Sequence, residues 1–189
     1  MRVAVPLDKS YRLINHGPVT LISAAHNGVC NLMAAAWAMP LDFSPPKLAV
    51  VVSAGDHTRS LIDASRQLVV QVPPRQLAAQ TDGVGSCSGR TVDKWQKFGL
   101  AWDPASVVDA PLVQGCVAWL ECRLVDEPQM ALRYDLLIAE VVAAWADDAV
   151  FVTDGTALRL RDDVPDGLRA IHHVAGGCYV ADGQVFSIR

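Results

Sequence analysis

The sequence lacks the motifs of several common enzyme classes. It contains no His-Glu-x-x-His, no Gly-x-Ser-x-Gly and no phosphate-binding P-loop, which argues against the hydrolytic and metal chemistries that those spacings support. The glycine-rich residues 83–89, which we predict to form a loop, have neither the preceding strand nor the Gly-x-Gly-x-x-Gly spacing of a dinucleotide-binding fingerprint. A nucleotide-binding α/β fold is therefore excluded.

Long apolar runs are also missing. No segment approaches the roughly 20 consecutive apolar residues that cross a bilayer. Residues 1–8 do not form the uninterrupted apolar stretch of a signal peptide. We therefore expect a cytoplasmic protein without a membrane partner.

Positive charge is scarce. The 189 residues include 16 Lys and Arg against 20 Asp and Glu, for a net charge of -4 at pH 7. Such a chain has no bulk attraction to a phosphate backbone, so we do not expect nucleic acid as a partner. With 51% apolar residues the chain can bury one substantial core, and we predict a single domain over residues 1–189.

Paired cysteine and histidine motifs are absent. The five cysteines are an odd number with no Cys-x-x-Cys, which is typical of reduced and mostly buried thiols. A reactive thiol at Cys87, within the glycine-rich residues, is the alternative interpretation. His172 and His173 are neighbours on a predicted strand, where adjacent side chains point to opposite faces, so we expect no shared metal site.

Short β-favouring runs, separated by turn signals, fill most of the chain. We predict strands at residues 19–25, 29–37, 48–53, 68–72, 117–125, 136–142, 170–174, 178–181 and 185–188. Turns are predicted at residues 26–28 and 182–183, and short helices after Asp56, over residues 74–80 and within residues 90–98. Eight or nine short strands with few helices favour a mainly β fold, a closed antiparallel barrel.

One of these strands shows a clear alternation. In residues 117–125, Ala118, Leu120 and Cys122 share one face, while Glu121 and Arg123 lie on the other. This pattern predicts a half-buried antiparallel strand with both charged residues turned away from the core.

Three consecutive alanines, Ala34, Ala35 and Ala36, stand on another predicted strand. Alanine has a poor β preference and buries little side chain, so a different group can fill the space beside it. Small side chains let a flat ring approach the backbone and bond to its polar groups. The other interpretation is that the alanines only suit a tight barrel interior, and the residues alone leave both open.

Several segments, taken in order, resemble the flavin reductase-like, FMN-binding split-barrel family, which includes flavoredoxins. The matching stretches are Asn31-Leu32-Met33-Ala34-Ala35-Ala36-Trp37, Met39-Pro40, residues 43–48, Thr58-Arg59-Ser60-Leu61-Ile62, residues 88–95, Ala110-Pro111-Leu112, residues 120–122 and residues 174–179. They span residues 12–182. The resemblance implies an antiparallel, Greek-key split β-barrel with a few short helices, and a homodimer with flavin near the subunit interface.

The resemblance also implies a set of FMN-binding residues. The ring and ribityl chain would lie along Asn31, Met33, Ala34, Ala35, Ala36 and Trp37, the phosphate beside Thr58 and Arg59, and the pyrimidine edge of the ring near Lys94. Ser53, at the end of the predicted strand before the helix, is a further candidate for the phosphate. Thr58 and Arg59 fall in the first turn of a predicted helix, where free N–H groups favour an anion. A cation near the ring would stabilise reduced flavin.

Each of these assignments has a structural alternative. Met33 is equally suited to filling the barrel, and Trp37 to packing in the core. Thr58 is equally suited to capping the helix, with Arg59 as a solvated surface charge. Lys94 is equally suited to a surface ion pair with Asp93 or a neighbour.

The function implied by the resemblance is hydride transfer from NAD(P)H to FMN, with FAD as a further substrate. Reduced flavin or electrons would pass to a monooxygenase or another electron-transfer partner. Stacking of the two rings supplies most of such catalysis, so we name no catalytic residue.

Two other functions stay open. One is a non-enzymatic FMN electron carrier of flavoredoxin type, suggested by Tyr134 where relatives often carry His and by Ala139 where they usually carry Gly. The other is a barrel that has lost its flavin and serves as a small-ligand or assembly module.

Overall fold

A computed structural model shows an antiparallel β protein with short helices, and describes residues 1–154, 157–186 and 188. The strands are β1 (Arg2–Ala4), β2 (Thr20–His26), β3 (Val29–Ala35), β4 (Ala38–Phe43), β5 (Pro46–Val51), β6 (Gln67–Val72), β7 (Trp102–Asp103), β8 (Leu112–Val113), β9 (Ala118–Leu124), β10 (Leu136–Asp147), β11 (Phe151–Asp154), β12 (Ala157–Leu160), β13 (Ile171–Ala175) and β14 (Cys178–Ala181). The α-helices are α1 (His57–Ser65), α2 (Ala78–Gly85), α3 (Lys94–Lys97) and α4 (Pro128–Tyr134), and short 3-10 helices lie at Leu7–Leu13, Arg75–Leu77 and Asp166–Leu168. No helix in this described part of the chain is long and apolar enough to cross a membrane.

Eight strands form the main sheet, in the order β3-β2-β6-β9-β10-β5-β4, with β1 paired to β10. The strand pairs of this sheet are antiparallel throughout the described residues, which confirms the predicted mainly β fold. In the part of the chain that the structure describes, no ladder joins β3 to β4, so the barrel is split between these two strands. The pairs β7–β8, β11–β12 and β13–β14 form separate two-stranded sheets.

The central strands are buried on both faces. On β2, Ile22 packs in the main core, while its neighbour Leu21 packs in a second cluster with Leu32, Val84 and Trp119. Because successive side chains on a strand point to opposite faces, one strand contributes to both clusters. The second cluster attaches α2 and residues 100–113 to the outer face of the sheet.

The predicted hairpin turn after β2 is confirmed. Asn27 and Gly28 both have positive φ angles, 49° and 79°, and the flanking His26 and Val29 are paired. A two-residue Asn-Gly turn with this backbone matches the twist of the two strands that it joins.

The predicted loop at residues 83–89 is wrong at its start, because Gly83 and Gly85 belong to α2. A Cβ atom added to Gly83 would lie 2.4 Å from the ring of Phe98, and one on Gly85 would lie 3.4 Å from Cβ of Ala34. Gly83 therefore permits close packing of the helix against Phe98, whereas a Cβ atom on Gly85 would make only an ordinary van der Waals contact.

Two strand predictions also need correction at their ends. The strand predicted over residues 29–37 ends at Ala35, so Ala36 and Trp37 lie beyond it. No strand forms at residues 185, 186 and 188, residue 187 lies outside the described residues, and β14 pairs with the preceding β13. The hairpin turn is Gly176-Gly177, both with positive φ, rather than residues 182–183.

The predicted exposure of Glu121 is wrong. The apolar face of β9 lies in the core and Arg123 is exposed as expected, but Glu121 has no exposed surface. Its carboxylate accepts hydrogen bonds from the main-chain N–H groups of Ser106 and Val107, from the Ser106 hydroxyl and from the Trp145 indole. The segment around Ser106 thus covers this side of β9 by wrapping around one carboxylate.

Burial by itself would raise the pKa of Glu121, but the hydrogen bonds from Ser106, Trp145 and Val107 outweigh it and hold the pKa below its usual value. An acid whose pKa is lowered in the folded state stabilises the protein above its unfolded pKa, and that stabilisation is lost as the pH falls. We expect Glu121→Gln to lower the free energy of unfolding at pH 7 by about 2 kcal/mol.

Urea unfolding of wild type and Glu121→Gln at pH 7 and in the acid range measures this effect. The difference between them should begin to shrink at about pH 4, where the carboxyl of the unfolded chain takes up a proton while that of the folded protein stays ionised, and it should be lost as the pH falls through the lowered folded-state pKa. Glu127→Gln, at an exposed position, is the matched control. A difference that is constant with pH would contradict an ionised Glu121.

Candidate functional site

The three alanines border an open cavity of about 350 Å³. Its lining residues come from the end of β3, from α2 and the residue after it, from β13 and β14, and from Val19; they are Val19, Ala34, Ala35, Ala36, Thr81, Asp82, Gly85, Ser86, His173 and Tyr179. Pockets that hold small molecules start at about this size. Free space therefore adjoins the alanines, although the side chain of Ala35 also packs against the main core.

The main chain of β3 directs polar groups away from the sheet next to this cavity. β3 ends the sheet and pairs only with β2 among the described strands, and the C=O of Leu32 points outward, where it accepts from Lys94 Nζ at 3.0 Å. Because main-chain direction alternates along a strand, the N–H and C=O of Ala34 point outward as well. The cavity is thus bordered by small side chains and by outward-facing main-chain donors and acceptors.

Lys94 is a buried cation at this edge. Its side chain is 4% exposed, and its ammonium group donates to the C=O groups of Leu32 and of Val84, at 3.0 and 2.7 Å. Burial lowers the pKa of Lys94, and nearby Cys87 and Asp56 oppose the shift. The alternative of a surface ion pair with Asp93 is wrong.

Asn31, Thr58 and Gly89 bring three segments together. The Asn31 side-chain amide donates to the Thr58 hydroxyl at 3.0 Å, and both residues are almost fully buried. A Cβ atom on Gly89 would lie 2.1 Å from Oδ1 of Asn31, so only glycine allows this approach. The sequence segments that carry Asn31, Thr58 and Gly89 therefore meet at one point in the fold.

The N-terminus of α1 lies beside this point and has unsatisfied donors. Asp56 occupies the capping position with extended backbone, but its side chain makes no capping hydrogen bond. The first helical hydrogen bond runs from Ser60 N–H to the Asp56 carbonyl, so the N–H groups of His57, Thr58 and Arg59 have no acceptor within the helix. Such a terminus favours an anion.

Two further cationic or titratable side chains surround this terminus, and the sequence analysis missed both. Arg90 Nη2 donates to the Gly55 carbonyl at 3.4 Å, which brings the guanidinium across the residues before α1. The pKa of His57 is lowered by burial and by the charges of Arg90 and Lys94. His57 directly precedes the matching stretch that begins at Thr58, and Arg90 lies within the matching residues 88–95; these positions are the signal that would have found them.

The side chain of Arg59, expected beside the FMN phosphate or as a solvated surface charge, is instead paired with carboxylates. Its Nε donates to both carboxylate oxygens of Asp63 at 2.9 and 3.0 Å, and Nη1 donates to the Val52 carbonyl at 2.8 Å. Asp135 lies 3.6 Å from Nη1 as a second carboxylate partner. The guanidinium is buried in this ion pair network, so it is neither a solvated surface charge nor directed into the alanine cavity.

The remaining predicted residues are divided between core and surface. Met33 is partly buried against the main core, as expected of a residue that fills the barrel. Trp37 is 74% exposed, so the alternative of core packing is wrong for it. Ser53 is exposed at the end of β5, and its carbonyl accepts from the Asp56 N–H.

The two adjacent histidines point to opposite sides, as predicted. His172 Nε2 lies 2.6 Å from Asp182 Oδ1, whereas the His173 ring contacts Tyr179, with centroids 5.2 Å apart. Only His173 lines the alanine cavity, together with Tyr179 and Asp82.

Comparison with known proteins gives consistent matches over most of the chain. The model of the flavin reductase like domain family matches residues 12–159. An uncharacterized protein of Escherichia coli (strain K12), YddH, is 38% identical over 185 residues, which cover 96% of this chain and 95% of that protein. The crystal structure of an FMN-binding domain of a flavin reductases-like enzyme from Shewanella baltica OS155 is 42% identical, with a TM-score of 0.93, over 100% of this chain and 98% of that one.

More distant structures share the fold alone. Flavoredoxin of Desulfovibrio vulgaris (Miyazaki F) is 24% identical, with a TM-score of 0.77 over 90% of this chain and 89% of that one. Nitrilotriacetate monooxygenase component B from Bacillus cereus is 19% identical, with a TM-score of 0.73 over 90% and 86% of the two chains.

Proposed function

The chain belongs to the flavin reductase-like domain family, and from that premise we propose that it binds FMN and transfers hydride from NAD(P)H to flavin. The observation that carries this proposal is the alanine-lined cavity against the outward-facing main chain of β3. A flat ring fits beside alanines, and the main-chain groups of Ala34 match the donors and acceptors along the polar edge of an isoalloxazine. Free FAD is proposed as a further substrate.

The ring and ribityl chain are proposed to lie along Asn31, Met33, Ala34, Ala35, Ala36 and Trp37. The buried ammonium of Lys94 sits on the Leu32 carbonyl, one step along the outward-facing row from Ala34. A positive charge so close to the polar edge of the ring would favour the reduced flavin, which carries negative charge. Flavin supplies the electron-accepting chemistry, and the chain supplies position and charge.

The phosphate is proposed to bind at the start of α1. The donors are the N–H groups of the first helical turn, including that of Arg59, together with the side chains of Ser53, Thr58 and Arg90. Arg59 would contribute its main chain, because its guanidinium is paired with Asp63 and Asp135. An acidic protein needs such a local concentration of donors to hold a group of charge near -2.

The protein is proposed to act as a homodimer, and the surface that supports this is an apolar stripe on β4. Met39, Leu41 and Phe43 are exposed by 56, 47 and 65% on this strand, which ends the sheet, and Trp37, just before it, is exposed by 74%. Several large apolar side chains exposed along one edge strand are typical of a surface that another chain covers. The stripe begins at Trp37, next to Ala36 of the cavity, so a second copy would close the cavity as well.

The electron acceptor is proposed to be a monooxygenase or another electron-transfer partner. Component B of a monooxygenase and flavoredoxins share this fold. All five cysteines are free thiols, which supports a reducing compartment, and we propose the cytoplasm.

The second candidate function is an FMN electron carrier without turnover of its own. Tyr134 favours it, because relatives often carry a histidine at this position and the tyrosine is exposed at the end of α4. Donors of hydride and donors of single electrons would then be separate proteins.

Oxidation of NADH and NADPH in the presence of FMN separates these functions. We expect purified protein to bind FMN, to show the yellow flavin spectrum, and to reduce added FMN or FAD with at least one nicotinamide. Tightly held flavin with no turnover from either nicotinamide would favour the carrier. Colourless protein whose melting temperature does not rise with added FMN would contradict both functions, because binding to the folded state must stabilise it.

The phosphate site predicts a specific loss in Arg90→Gln. Removing one charged hydrogen bond to phosphate should weaken FMN binding by about tenfold. Riboflavin, which lacks the phosphate, should bind wild type and variant equally. Arg133→Gln, an exposed arginine at the end of α4, is the matched control. Fluorescence titration with both flavins measures the affinities, and an equal loss for both would contradict a phosphate contact.

The dimer predicts that Met39→Lys dissociates the protein. A lysine on the apolar stripe would have to bury its charge without a partner, so we expect wild type to elute as a dimer and the variant as a monomer. Light scattering coupled to gel filtration measures the masses. Leu132→Lys introduces the same charge at another exposed apolar residue, on α4, and should leave the dimer intact. A monomeric wild type would overturn the proposal.

A further inference from the structure

Asp82 brings a negative charge to the wall of the alanine cavity. Its Oδ1 accepts a hydrogen bond from the Tyr179 hydroxyl at 3.1 Å, which joins α2 to the β13–β14 hairpin. Both side chains line the cavity, together with the alanines. Burial and the Asp82 carboxylate raise the pKa of Tyr179, so the phenol stays neutral and donates to the carboxylate.

Among residues 1–154, 157–186 and 188, no lysine, arginine or histidine forms an ion pair with Asp82, although His173 lines the same cavity. Arg90 and Lys94, which lie near the start of α1, are absent from the residues that line the cavity. The cavity therefore has a negative wall at Asp82, while the positive groups proposed for the phosphate lie outside it.

Gly177 keeps space open in front of this carboxylate. It turns between β13 and β14 with a φ of 75°, and a Cβ atom there would lie 3.7 Å from Asp82 Oδ1. The hairpin turn thus approaches Asp82 without a side chain that would cover it.

We propose that Asp82 makes the space that the flavin ring leaves open in this cavity selective for a second planar ring that is, or becomes, positively charged, which is the nicotinamide of the electron donor. This inference rests on the proposed function, which supplies the reaction, while the choice of Asp82 rests on the geometry of the cavity. Hydride, a proton with two electrons, leaves C4 of the neutral dihydronicotinamide and is accepted by flavin. The flavin is reduced, and the nicotinamide ring is oxidised to a cation.

The charge change explains why a carboxylate would help. The oxidised nicotinamide ring carries a positive charge that the reduced ring lacks, so a fixed negative charge nearby binds the cationic ring more tightly than a neutral one. Tyr179 is then a positioning residue, since its hydroxyl holds the carboxylate toward the cavity. Asp82 needs no proton transfer for this role.

Two small probes test the charge selectivity without turnover. The 1-methylnicotinamide cation and neutral nicotinamide have the same ring and differ by one charge. At pH 8, above the ordinary range of histidine titration, we expect wild-type protein to bind the cation about fivefold more tightly than the neutral ring, the effect of one partly screened charge. Ligand-observed NMR on protein with and without FMN measures both affinities.

The Asp82→Asn variant keeps an oxygen for the Tyr179 hydroxyl and removes the charge. We expect it to lose the preference for the cation while the melting temperature stays at the wild-type value. Asp8→Asn makes the same charge change at an exposed position outside the cavity lining and should keep the preference.

Three results would overturn the inference: no preference for the cation in wild type, including no binding of either probe; an unchanged preference in Asp82→Asn; or an equal loss in Asp8→Asn. Failure of the proposed function has a different signature, because it appears as absent FMN binding in wild type.

Discussion

The outward-facing main chain of β3 is the constraint on which the rest of the site depends. A strand at the end of a sheet leaves every second pair of N–H and C=O groups without a partner in the sheet, and near a protein interior those groups need partners. Lys94 satisfies the Leu32 carbonyl and at the same time binds the last turns of α2 through Val84. The next outward groups, those of Ala34, border the cavity. The same strand thus holds the helix and offers hydrogen bonds to a ligand.

Small residues make this arrangement compact. Gly85 of α2 faces Ala34, Gly89 lets its segment approach Asn31, and the alanines leave the cavity open. A side chain at Gly89 would force Asn31 away, because interiors are packed too densely to absorb an added atom at so short a distance. The elements that carry Asn31, Thr58 and Lys94 are held in one place by the absence of side chains between them.

Basic side chains cluster near the start of α1 although the chain as a whole carries a net negative charge. The protein is acidic, yet Arg90, His57 and Lys94 lie near the start of α1, while Asp82 faces the cavity. Such a separation gives a phosphate and a ring two different environments within one site. Elsewhere, buried charges are matched by donors or partners: Glu121 by the main chain around Ser106, and Arg59 by Asp63 and Asp135.

Local pattern in the sequence by itself determined strands β2, β3, β5, β6, β9 and β10, the Asn27-Gly28 turn, the helix after Asp56 and the row of alanines, because periodicity and turn chemistry depend on near neighbours. It also pointed to Asn31, Thr58 and Lys94 through the family resemblance. Only the tertiary structure decided that Glu121 is buried, that the Arg59 guanidinium is paired, that glycines 83 and 85 belong to a helix, and that Arg90 and Asp82 lie near the site. Each of these depends on contacts between residues distant in sequence, which decide what covers a face and which partner satisfies a charge.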